Sequence, residues 1–158
     1  MERNEPGGPG SSVETLDPRD CWTLLGSARV GRLAVVVAGR PEIFPVNHVV
    51  DHGTVVFRTA PGTKLAAIRG TVPVAFEADG LDLGTGVAWS VIVKGRATRV
   101  TGRNLVLEAA ALPIFPWHDE PKNWFVRVEA DEITGRRFVA ATTRPPAPDT
   151  PDQDPWPA

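Results

Sequence analysis

The chain has 158 residues, 42% of them hydrophobic, with 17 lysines and arginines against 19 aspartates and glutamates. That is enough for one domain with a buried core, and a net charge of −2 lacks the strongly basic face of a nucleic-acid binder. A single cysteine, Cys21, excludes an intramolecular disulfide and a cysteine-rich metal site, and no apolar run approaches the ~18 residues of a membrane span.

The two ends differ from the middle. Residues 1–16 are rich in glycine and proline, and residues 143–158 carry six prolines, three aspartates and one tryptophan, Trp156. Neither buries enough apolar surface to offset the entropy of ordering it, so both are expected to be disordered tails, dispensable for folding. Each tail carries a net −2, which leaves residues 17–142 at +2, a mildly cationic domain suited to a small anionic ligand. With no charged start followed by an apolar run, the N-terminus predicts no signal peptide and a cytoplasmic protein.

Asp17-Pro18 reads as a helix cap followed by proline at the first helical position, opening a helix over 17–26. Strands follow over 29–38, 43–50 and 55–59, joined by turns at Gly39-Arg40-Pro41 and Asp51-His52-Gly53. A short helix at 63–69 closes at Gly70, and strands follow over 72–78 and 87–100, with Gly95 marking a bulge or corner. A helix over 104–112 stops at Pro113. The last strand runs over 124–130 and continues over 132–141, with a break at Thr134-Gly135. Six or seven antiparallel strands with short helices predict a mainly β fold, an antiparallel β-barrel with peripheral helices, with an all-β sandwich as the competitor.

The segment 55–65 concentrates chemistry. A strand ends in Arg58 and Thr59, breaks at Pro61-Gly62, and a helix starts at Thr63-Lys64. Two cations, two hydroxyls and the N–H groups of a helix start converge there, a pattern that suits a phosphate. The spacing is not that of a P-loop. A solvated turn with a threonine cap explains the same residues equally well.

The order of five motifs resembles the pyridoxamine 5′-phosphate oxidase-like proteins, the FMN-binding split-barrel group. They are Val30-Gly31-Arg32-Leu33-Ala34, Pro45-Val46-Asn47-His48-Val49-Val50, Phe57-Arg58-Thr59 with Gly62-Thr63-Lys64-Leu65, the run from Trp89 to Ala97, and Ile133-Thr134-Gly135-Arg136-Arg137. The resemblance covers residues 17 to about 142. It implies a homodimer with FMN in a groove between the subunits. Arg58, Thr59, Thr63 and Lys64 would hold the phosphate, Pro45, Val46 and Asn47 would run along the isoalloxazine ring, and Trp89 and Ser90 would flank it. Trp89 also suits a plain core position. The Arg-Leu-Ala-Pro-like ending and nearby Arg-x-His pair of the enzymes that make pyridoxal phosphate are missing, so an oxidoreductase acting on another small molecule is expected.

No nucleophile–base pair or paired carboxylates stand out. His48, where many relatives have tyrosine, and His118, between Trp117 and Trp124, are the candidate proton donors, although His48 also fits a histidine bonded within a strand. The three histidines have no metal-ligand spacing. The same fold could instead hold a deazaflavin coenzyme or haem, with Arg29, Arg32, Lys94, Arg96 and Arg99 available to a long anionic tail. A flavin carrier or sensor without turnover is a further alternative.

Overall fold

The computed structural model describes residues 13–114 and 124–139. In chain order these form β1 (Val13–Thr15), α1 (Pro18–Ser27), β2 (Val30–Val37), β3 (Arg40–Asp51), β4 (Thr54–Thr59), α2 (Thr63–Ala67), β5 (Thr71–Asp82), β6 (Val87–Arg99), α3 (Arg103–Ala110) and β7 (Trp124–Val139). Every pairing is antiparallel, in the order β1-β7-β4-β3-β2-β5-β6, and β6 returns to pair with β7 along its whole length. Six strands therefore close a ring, and β1 adds to the edge of β7 beyond the point where β4 leaves it. The ring is weakest between β2 and β5, which share only Arg32↔Glu77, Leu33↔Phe76 and Ala34↔Ala75. The ladder stops short of Pro73, whose missing N–H has no partner to satisfy on that edge. This is the expected split barrel.

Local chemistry accounts for most of the elements. The Asp17 carboxylate accepts the Asp20 N–H at 2.8 Å, and Pro18 occupies the first turn of α1. The β2–β3 and β3–β4 hairpins turn at Ala38-Gly39 and His52-Gly53, all four with positive φ, which matches the right-handed twist of the strands. β5 runs to Asp82 rather than ending at 78, because Asp82 accepts the N–H groups of Gly84 and Thr85 and so nucleates a tight hairpin into β6. α2 ends at Ala67, earlier than expected, because Ile68 leaves the helix to become fully buried in the core.

Gly95 is the bulge the sequence suggested. Lys94 pairs with Glu132 but Gly95 pairs with Ala130, which leaves Asp131 as the extra residue of β7. A Cβ on Gly95 would sit 1.9 Å from the Glu129 carbonyl oxygen, so only glycine admits this approach. The break expected at Thr134-Gly135 is absent, and β7 is continuous there. Gly135 serves packing instead of turning: a Cβ would lie 2.6 Å from the Cys21 Sγ of α1.

The barrel interior holds Leu33, Val55, Phe57, Phe76, Val91, Val93, Val126 and Val128, capped by Cys21 and Leu25 of α1. A smaller cluster of Val56, Ala109, Ile114 and Phe125 fills the space between the outer face of β4–β7 and α3. Asp51 pairs with Arg127 at 2.9 Å, and Arg127 also donates to Thr54 Oγ1, tying the β3–β4 turn to β7. The Arg127 bond holds the Asp51 carboxyl below the usual carboxylate range against the opposing effect of burial.

The N-terminal boundary is corrected. Residues 13–16 are not part of a tail: Val13 pairs with Phe138 and Thr15 with Arg136. The Leu16 N–H donates to the Gly135 carbonyl at 3.0 Å, and its side chain is only 6% exposed. A three-residue strand escapes periodicity, and its stability comes from the β7 edge it covers. Trp117, His118, Trp156 and residues 140–158 lie outside the described residues. Leu16→Ala should lower the unfolding free energy by roughly 2–5 kcal/mol. A chain beginning at residue 17 should likewise melt below one beginning at residue 13; denaturant and thermal unfolding check both.

Candidate functional site

The residues expected to hold a phosphate lie at one mouth of the barrel. β4 pairs with β3 up to His48↔Phe57, so Asn47 and Arg58 stand where the two strands part. Successive side chains of a strand point to opposite faces, which separates Arg58 from Thr59. Arg58 lies on the outside, its guanidinium 5.3 Å from the centre of the Phe125 ring directly across the ladder. Thr59 turns inward, 5% exposed, and its hydroxyl donates to the Ala60 carbonyl at 3.1 Å.

The chain then crosses Ala60-Pro61-Gly62 into α2. Gly62 occupies the cap position and no side chain caps the helix start, so a threonine cap is not what these residues form. Thr63 is exposed. The Lys64 ammonium donates to the Pro45 carbonyl at 3.5 Å and lies 5.6 Å over the Phe44 ring. Arg58 and Lys64 thus flank the segment Pro45, Val46, Asn47 of β3. Within it Val46 is a core residue, and Asn47 lines a cavity of about 310 Å³ with Arg29, Val49 and Pro113.

Arg99, at the end of β6, belongs to the same mouth. Its guanidinium donates to the Leu65 carbonyl of α2 and lies 5.9 Å from the centre of the Trp124 ring. The sequence offered Arg99 as one of five cations available to a long anionic cofactor tail, not as part of the phosphate site. The signal was available in the alternation of β6, where Val91, Val93 and Ala97 face inward and Arg99 continues that face.

Trp89 and Ser90 are elsewhere. They lie ten and nine residues back along β6 from Arg99, about 30 Å at strand spacing. Trp89 packs on the core, and its indole covers Gly80, where a Cβ would come within 2.4 Å of Nε1. Ser90 lines a cavity of about 530 Å³ with Thr15, Ile92, Lys94, Glu132 and Arg136. Within one chain, these two residues and the Arg58–Lys64 mouth do not form one site.

His48 is 4% exposed. Its Nε2–H donates to the Leu25 carbonyl at 2.9 Å, and its ring meets Phe76 edge-on at 4.9 Å, so it ties α1 to β3. Nδ1 has no hydrogen-bond partner among the described residues. Burial pushes the His48 pKa down, with the bond to Leu25 opposing. The unfolded chain therefore takes up this proton first as pH falls. Stability is fully present above the ordinary histidine value of about 6.5 and declines below it. His48→Gln should flatten that decline, as measured by denaturation midpoints between about pH 7.5 and 5.

The pyridoxamine 5′-phosphate oxidase family profile matches residues 17–137, most of the barrel. The chain belongs to that family. An uncharacterized protein of Mycobacterium tuberculosis is 37% identical over 138 residues, which cover 84% of this chain and 90% of that protein. Among solved structures, the FAD binding protein of Mycobacterium smegmatis is 41% identical, with a TM-score of 0.68, over 80% of this chain and 98% of that one. A Corynebacterium diphtheriae protein of unknown function is 35% identical, with a TM-score of 0.67, over the same 80% and 98%.

Proposed function

We propose that the chain binds a flavin nucleotide, FMN, by the phosphate on its ribityl chain, and uses it as an oxidoreductase for a small molecule other than a pyridoxal phosphate precursor. The observation that carries this reading is the pair Arg58 and Lys64 on either side of Pro45–Asn47, at a helix start that no side chain caps. The donor set fits a phosphate. Arg58 presents a planar fork over the Phe125 ring, Lys64 a movable point charge, and Thr63 an exposed hydroxyl. Flavin, when bound, supplies the hydride or electron transfer. The chain orients it, with the β3 backbone from Pro45 to Asn47 as a rigid edge. His48 stays neutral, with its Nε2–H committed to Leu25, and so serves the scaffold beneath that edge.

FAD is the second reading. It carries the same ribityl phosphate, and the Mycobacterium smegmatis protein described as FAD binding is 41% identical. A deazaflavin with a long anionic tail is less favoured, because carboxylates already pair with three of the five cations it would use. Arg32 pairs with Glu77 and Asp79, Lys94 with Glu132 and Arg96 with Asp131.

Titrating the apo-protein with riboflavin, FMN and FAD tests the reading. FMN and FAD should bind far more tightly than riboflavin. Arg58→Ala should weaken FMN roughly ten- to hundredfold, the loss of one charge-assisted contact. Equal affinity for FMN and riboflavin would overturn it.

The same reading includes a homodimer. One copy's Trp89 and Ser90 are too far from its own phosphate end to reach the same flavin, whereas a two-fold partner can bring them to it. Light scattering should report a dimer when flavin is bound. A flavin-saturated monomer would contradict this part.

A further inference from the structure

We propose that Arg99 is the positioning residue for phosphate recognition: it fixes α2 so that Thr63 and Lys64 present their donors at the barrel mouth. The inference rests on the flavin-phosphate reading above and adds a residue to it. α2 has five residues, far fewer than a helix needs to persist by itself, and its start has no side-chain cap. Its apolar anchors are Leu65 and Ile68, both in the barrel core. Such anchors set depth without setting rotation, because apolar contact is non-directional.

Two directional contacts converge on one backbone atom. The Leu65 carbonyl accepts the Ile68 N–H at 3.1 Å and also the Arg99 guanidinium. Leu65 follows Lys64 directly, so the bond from Arg99 holds the Leu65–Ala66 peptide, one residue on from the Cα that carries the Lys64 side chain. Arg99 is itself held. It sits at the inward end of β6 and lies against the ring of Trp124, which pairs across the ladder with Thr59. One guanidinium therefore links β6, β7 and α2, at the place where the chain leaves β4 for the phosphate-binding turn. Among the described residues no carboxylate pairs with Arg99, so its bonding serves the α2 carbonyl rather than an ion pair. Arg99 does not face the phosphate. It acts through the backbone that carries Lys64.

The experiment compares FMN with riboflavin in the full chain and in Arg99→Gln. A purely structural role would weaken both ligands together. Positioning predicts that FMN affinity falls about tenfold while riboflavin affinity stays, so the ratio between them shrinks. In the Lys64→Met background, Arg99→Gln should shrink the ratio little further, because the two residues act as one unit. Hydrogen exchange without ligand should show faster exchange confined to the Ala66 and Ile68 amides of Arg99→Gln. Arg99→Lys keeps the charge, and the same comparisons apply to it if the glutamine variant does not fold. An unchanged ratio, or an equal loss for both ligands, overturns the inference while the unaltered chain still prefers FMN. If the unaltered chain shows no preference for FMN, the phosphate reading itself fails and takes this inference with it.

Discussion

The pairing of β6 with β7 is the constraint on which the rest of the molecule depends. It turns an open sheet into a barrel and needs the two backbones to approach at Gly95, where no side chain fits. The bulge at Asp131 lets one long strand serve three neighbours in succession. β7 pairs with β4 from Trp124 to Glu129, with β6 from Val126 to Val139 and with β1 near its end. Without that curvature the inward faces of β4 and β6 would not meet, and the core built on Val55, Phe57, Val91 and Val93 would have one open side.

Closure also makes the mouth. A barrel end leaves strand termini, inward side chains and unsatisfied backbone groups together, and something must fill it. Here α2 does so, held by the burial of Leu65 and Ile68 and by Arg99. The same arrangement gathers cations. Arg58, Lys64 and Arg99 reach the mouth from three different elements, each set against an aromatic ring: Phe125, Phe44 and Trp124 respectively. An aromatic face attracts a cation through the negative charge of its ring face. On the outer faces of β2 and β6, Arg32, Lys94 and Arg96 have Glu77, Asp79, Asp131 and Glu132 beside them.

His48 shows how position outweighs residue type. In a strand beside Asn47 it invites a catalytic reading. Two constraints decide otherwise: β3 alternates, so His48 faces inward where Asn47 faces out, and Leu25 ends its helix with a carbonyl that the imidazole satisfies. A buried neutral histidine bonded to a helix end is a strut, at the cost of stability in acid.

Much of the fold was legible locally. The Asp17-Pro18 cap, the turns at Gly39 and Gly53 and the bulge at Gly95 rest on chemistry within a few residues, and hydrophobic alternation located the strands. The family motifs were legible for the same reason, being short and in fixed order. Tertiary structure decided the rest. β1 is a strand only because β7 offers it an edge, and Gly135 is a packing glycine only because Cys21 lies above it. Thr59 faces away from Arg58, although the two are adjacent in sequence, because a strand alternates at its last residues as it does elsewhere. Trp89 and Ser90 stand far from the mouth because β6 is long. Arg99 joins it because barrel closure brings the end of β6 under α2. Sequence determined which residues could do the chemistry, since their types and local geometry are local properties; closure of the barrel decided which of them meet, since pairing between distant strands is not.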